Sequence, residues 1–150
     1  MASQGAGGPK DEATVALYYK KSLQTWKKEA DDGDSKAALW AALVYERKLV
    51  PDSSPEKSVP YLLQAAESGN LTAQGLLAFK YRDGLGVPQD AAKAVEWFEK
   101  AASRKDLGAV MELGIMFRDG KYLPPDREKA FHWFEKGAEW KDPYLSLIHI

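Results

Sequence analysis

The segment from Tyr81 to Ala102 is repeated, in altered form, from Phe117 to Ala138. The two segments lie 36 residues apart and are identical at 12 of 22 positions. A repeat period of about 20 to 50 residues is typical of solenoids, in which each structural unit completes its core against the next one. The repeat therefore predicts a stack of similar units whose function lies on a shared surface.

Weaker copies of the same pattern extend the period towards the N-terminus. Four alanines occupy equivalent positions, Ala30, Ala66, Ala102 and Ala138. Each is followed by a short polar turn that contains Asp or Asn in the same phase, at Asp34, Asn70, Asp106 and Asp142. Because these side chains accept hydrogen bonds from the free backbone N–H groups of a helix start, a new helix is expected after each turn.

Each unit reads as two helices. In the first, helix A, Ala73, Leu77 and Tyr81 are spaced so that they share one face. Gly84 is expected to end this helix, because glycine adopts the left-handed conformation without a steric cost. The second, helix B, carries an apolar stripe that includes Trp97, which is expected to pack in the core. The predicted fold is all-α: an α-α superhelix, or solenoid, of stacked antiparallel helical hairpins with a period of 36 residues.

The expected domain organisation has four parts. They are a disordered tail at 1–10, an N-terminal capping helix at 11–30, three repeats and the start of a fourth at 31–144, and an aberrant or truncated tail at 145–150.

The pattern resembles the Sel-1-like repeat family, a relative of the tetratricopeptide repeats. Three copies carry it, beginning at Ala37, Ala73 and Ala109. In the first copy Lys48 stands where Gly84 stands in the second, so its helix A is expected to end differently. A tetratricopeptide repeat is the second choice, because its period is about 34 residues and it lacks the Asp-Gly-Leu-Gly-Val loop found here.

The resemblance implies a non-enzymatic scaffold or adaptor that binds peptide segments of other proteins on a concave surface formed by the A helices. Trp40 has no counterpart in the other copies and is either an exposed binding residue or part of the first-repeat core. The alternative for Leu43, Phe79 and Ile115 is packing on adjacent helices. The candidate partner-binding residues are Leu39, Trp40, Leu43, Glu46, Phe79, Arg82, Met111, Ile115 and Arg118, with Gly75 in the same groove.

The composition argues against a catalytic, cofactor or metal site. The chain has no cysteine, and 21 basic and 22 acidic residues give a net charge of −1. Its two histidines, His132 and His149, lie in no catalytic pattern, so we expect no enzyme, cofactor or metal site. A hydrolase-like enzyme or fragment, as proposed for cysteine-rich relatives, and an RNA-binding repeat remain alternatives, although the charge balance disfavours nucleic acid.

The N-terminal residues lack the apolar core of a secretory signal. No segment approaches the roughly 18 apolar residues that a membrane-spanning helix requires. A cytoplasmic location without membrane insertion is therefore expected.

Overall fold

A computed structural model describes residues 11–141, and within this range the chain forms seven α-helices and no β-strand. The predicted all-α class is therefore confirmed. The predictions for residues 1–10, Asp142, 145–150 and His149 lie outside the described residues. The helices are α1 Glu12–Asp31, α2 Ser35–Glu46, α3 Pro55–Glu67, α4 Leu71–Asp83, α5 Ala91–Ala102, α6 Leu107–Asp119 and α7 Arg127–Lys141.

Each helix packs against the next one along the chain. The closest packing is within the pairs α2 with α3, α4 with α5, and α6 with α7. These pairs are the three predicted hairpins, here called units 1, 2 and 3. Their A helices are α2, α4 and α6, which recur at the predicted spacing of 36 residues. Consecutive units pack through α3 with α4 and α5 with α6, which gives the predicted solenoid.

The predicted capping residues begin the A helices. Asp34 accepts hydrogen bonds from the backbone N–H groups of Lys36 and Ala37, at 2.8 and 3.1 Å. Asn70 and Asp106 make the equivalent bond three residues ahead, at 3.0 and 2.8 Å. One polar side chain thus satisfies a free donor at the start of every A helix and fixes where the helix begins.

A left-handed residue follows each A helix. Gly84 and Gly120 have φ angles of 69° and 66°, as glycine at a helix end permits. Lys48, at the equivalent position of unit 1, also has a positive φ, 53°. Unit 1 nevertheless ends its A helix differently, as expected, because α2 stops at Glu46, one repeat position before the end of α4, and Arg47, with φ −84°, precedes Lys48. The left-handed conformation of Lys48 costs about 1 kcal/mol.

Small residues and a few large ones form the core between the hairpins. Its largest fully buried side chains include two pairs at equivalent repeat positions, Leu62 with Phe98 and Leu77 with Leu113. Buried alanines belong to the same core. Trp97 is only 7% exposed, which confirms its predicted packing role. Because alanine is small, helices that meet through it can approach one another closely.

The first helix, α1, packs on α2 through a smaller cluster that contains Leu23, Tyr45 and Val50. In phase, α1 corresponds to a helix B. At the position where Trp97 stands in α5, however, α1 has the exposed polar residue Thr25. An exposed polar residue at this position fits a terminal cap, whose outer side has no neighbouring repeat to cover it. The capping role of α1 remains a prediction.

Candidate protein-interaction surface

The residues predicted to bind a partner lie on one side of the three A helices, here called the A-helix face. Leu39, Gly75 and Met111 form one column of equivalent positions, 36 residues apart. A second column contains Leu43, Phe79 and Ile115, and a third contains Glu46, Arg82 and Arg118. Trp40 lies beside the first column.

None of these side chains is buried. Trp40 and Met111 are the most exposed apolar members, at 52% and 46%. Leu39, Leu43, Phe79 and Ile115 are half-buried, and Leu39 and Phe79 also touch the core. The A-helix face is therefore an apolar row that is partly covered by its own repeats and partly open to solvent.

Glu46 makes contacts within the chain. Its carboxylate lies 2.7 Å from the ammonium of Lys80 in the next A helix. The same carboxylate accepts a hydrogen bond from the hydroxyl of Ser58, on α3. Glu46 therefore links α2, α3 and α4, and its charge is used inside the solenoid.

Arg82 is likewise engaged. Its guanidinium donates to both carboxylate oxygens of Asp83, at 2.8 and 2.9 Å, and to Glu112 on the next A helix, at 2.7 Å. The hydrogen bonds from Arg82 lower the pKa of Asp83, with a smaller contribution from the Tyr122 hydroxyl. The guanidinium also lies 4.7 Å from the centre of the Phe79 ring. Sequence reasoning did not identify Glu112 and Tyr122, because they lie far along the chain from Arg82 and Asp83, which they contact.

A cavity of about 260 Å³ opens between α4 and α6, here called the α4/α6 cleft. Phe79 and Leu76 line it, with Glu112 on the opposite side. Gly75 lies within it, and a Cβ atom added at Gly75 would meet no atom of residues 11–141 within 4 Å. Packing therefore does not require this glycine, and its missing side chain leaves the cleft open.

A second cavity, of about 270 Å³, lies between α1 and α2 and is here called the aromatic pocket. The ring of Trp40 stacks on that of Trp26, with 6.1 Å between centroids and 29° between planes. The pocket is also lined by Tyr18, Tyr19, Leu43 and Arg47. Only Trp40 and Leu43 were predicted as binding residues. The spacing of eight residues between Tyr18 and Trp26, which places both on one face of α1, was the available signal.

The described residues show no candidate metal site. Within 11–141, no group of three or more His, Asp or Glu side chains could hold a metal ion. His132 is exposed beside Trp133, with 5.5 Å between ring centroids. No helix in the described part of the chain is both long and apolar enough to span a bilayer.

Comparison with known proteins adds the evolutionary context. A family model for the Sel1 repeat matches residues 35–70, 72–106 and 108–139. These matches coincide with the three hairpins, and they support the Sel-1-like interpretation over the tetratricopeptide alternative. A search of curated proteins found no match.

Solved structures resemble the chain along most of its length. The protective antigen c5321 of uropathogenic Escherichia coli, which displays this repeat fold, has a TM-score of 0.69 and 32% identity over 79% of the chain. A Sel1 repeat protein from Oxalobacter formigenes has a TM-score of 0.71 and 29% identity over 90% of the chain. The chain spans 25% and 42% of these two proteins. The cysteine-rich protein B of Helicobacter pylori has a TM-score of 0.61 and 25% identity, and the match covers 86% of this chain and 92% of that protein.

Proposed function

Because the chain belongs to the Sel1 repeat family, we propose that it is a non-enzymatic scaffold that binds a peptide segment of a partner protein along the A-helix face. Sel1 repeats commonly serve as protein-interaction scaffolds. The observation that carries the proposal is the apolar row that ends in the exposed Trp40 and Met111 and contains two open cavities. The cytoplasmic location remains a prediction from the sequence.

The face has the chemistry of a peptide groove. Half-buried side chains such as Phe79 and Ile115 are already held by their neighbours, so a partner would lose little additional conformational freedom in ordering them. Aromatic and aliphatic anchors of this kind contribute most of the binding free energy in many interfaces. Two separate cavities, one between α1 and α2 and one between α4 and α6, would accept successive side chains of an extended or helical peptide.

The charges of the face argue for protein rather than RNA as the partner. RNA binding needs a stripe of available cations that can contact phosphates. Here Arg82 is bound by Asp83 and Glu112, and the guanidinium of Arg118 lies 2.6 Å from the carboxylate of Asp119. These acidic partners offset the positive charge that a phosphate backbone would need.

A selection experiment tests this proposal. A random-peptide display library is selected on the immobilised chain, and the bound peptides are titrated into protein with isotope-labelled methyl groups. We expect the methyl resonances of Met111, Ile115 and Leu43 to shift, because they lie on the A-helix face. The resonances of Val59 and Val95, on the B helices, serve as controls. Shifts confined to the B helices, or a failure to select any peptide, would contradict the proposal.

A further inference from the structure

We infer that the aromatic pocket binds one bulky apolar side chain of a peptide whose adjacent residues are acidic. The inference rests on the proposed function and names the class of partner. It follows from the rings that line the pocket and from the charge at its edge.

The pocket is specific to the first unit. Trp40 occupies the position held by Leu76 in unit 2 and by Glu112 in unit 3. Its ring is supported from one side by Trp26, while about half of its surface remains exposed. An exposed tryptophan held by a second ring is a preformed platform, because few side-chain rotamers must be ordered when an apolar group covers it.

Arg47 supplies the charge, and the repeat explains why its charge is available. Units 2 and 3 end their A helices with Arg82 followed by Asp83 and Arg118 followed by Asp119, each a neighbouring ion pair. Unit 1 reverses this order, with Glu46 followed by Arg47.

The reversal changes which charge is neutralised. Glu46 is paired with Lys80 of the next unit rather than with Arg47. Arg47 is exposed and has no ion pair among residues 11–141. Among the described residues that line the pocket, it is also the one that carries a charge. A free cation beside an apolar cavity complements a carboxylate beside an apolar side chain.

A cationic occupant fits less well. Aromatic rings can surround an ammonium group because the faces of the rings attract cations. Here Arg47 would repel a lysine or a quaternary ammonium, and no acidic residue of the described range 11–141 lines the pocket to offset the repulsion. The geometry therefore favours an anionic peptide.

Three blocked eight-residue peptides test the inference. The first has one phenylalanine flanked by aspartates, the second has lysines in place of the aspartates, and the third has serine in place of phenylalanine. Each is titrated into the ¹⁵N-labelled chain, and the indole N–H resonances are assigned by substitution of single tryptophans. Only the first peptide should shift the resonances of Trp26 and Trp40 at low concentration.

Arg47→Glu should weaken binding of the aspartate peptide at least about tenfold and strengthen binding of the lysine peptide. Lys36→Glu changes the net charge equally at the other end of α2 and should leave both affinities unchanged. Circular dichroism of each variant checks that the helices remain. Equal binding of the aspartate and lysine peptides, no effect of Arg47→Glu, or unshifted Trp26 and Trp40 would overturn the inference. If Trp26 and Trp40 are unshifted while selected peptides still shift Met111 and Ile115, the proposed function stands and only this inference fails.

Discussion

Lys80 and Glu46 form an ion pair between consecutive A helices, with 2.7 Å between the ammonium nitrogen and the carboxylate. The Lys80 side chain is only 4% exposed, and that of Glu46 is 25% exposed. At the position of Lys80, units 1 and 3 have the buried apolar residues Val44 and Met116. The pair is thus specific to the boundary between units 1 and 2.

The two partners of this pair should respond differently to substitution. Glu46→Ala should lower the free energy of unfolding by about 2 kcal/mol or more, because it leaves a buried ammonium without a carboxylate. Lys80→Met, which copies the residue of unit 3, should cost less than about 1 kcal/mol because an apolar side chain fits the site. Urea denaturation measures both values. Equal losses in the two variants would contradict this expectation and show that an apolar side chain cannot replace the ion pair at this boundary.

Acid should destabilise the chain partly through Asp83. The hydrogen bonds from Arg82 lower its pKa in the folded state. The resulting stabilisation is therefore complete above the unfolded pKa of about 3.9 and is lost as the pH falls through the lower folded pKa. Asp83→Asn should make the free energy of unfolding fall less steeply below about pH 4. Asp32→Asn, at an exposed position outside the ion pairs of residues 11–141, is the matched control and should leave the slope unchanged.

Replacing either of two A-helix glycines by alanine should change the free energy of unfolding, but in opposite directions. Gly75→Ala should stabilise the chain by about 0.5–1 kcal/mol, because alanine favours the helix and the added Cβ meets no atom. Gly114→Ala places a Cβ 2.5 Å from the Phe134 ring, so the ring must move and the core is strained by about 1–3 kcal/mol. Thermal unfolding of both variants tests this. Stabilisation by both would show that the Phe134 ring moves away freely.

Truncating Trp97 and Trp40 to alanine should distinguish a ring that packs in the core from one that is exposed. Trp97→Ala should destabilise the chain by about 3–5 kcal/mol, since the ring fills the space between hairpins. Trp40→Ala should cost clearly less, because half of its ring already faces solvent. Denaturant titration gives both values. Comparable losses would mean that Trp40 is a core residue of the first unit.

The fold could be predicted because its determinants are local and repeated. The caps Asp34, Asn70 and Asp106 each act within three residues of themselves, so their positions in the sequence fix the helix starts. The columns of the A-helix face follow from the same period. One copy of the pattern therefore informs the others.

The remaining features depend on contacts between distant residues. The aromatic pocket needs Tyr18 and Trp26 from α1, a helix without a full copy elsewhere in the chain, so periodicity could not place it. The pairing of Arg82 with Glu112 joins residues 30 positions apart. The reversed order of Glu46 and Arg47 is visible in the sequence. Its consequence becomes clear only when Lys80 is found to pair with Glu46.

The affinity of one selected peptide for two variants tests the binding face most directly. Met111→Asp places a charge on the open part of the face, where a partner would remove it from water. Phe131→Asp makes the same kind of change at a more exposed position on α7, the B helix of unit 3. We predict that Met111→Asp raises the dissociation constant at least about tenfold while Phe131→Asp leaves it unchanged, with both variants folded. An unchanged affinity in Met111→Asp together with a loss in Phe131→Asp would contradict binding at the A-helix face and place the binding surface on the B helices.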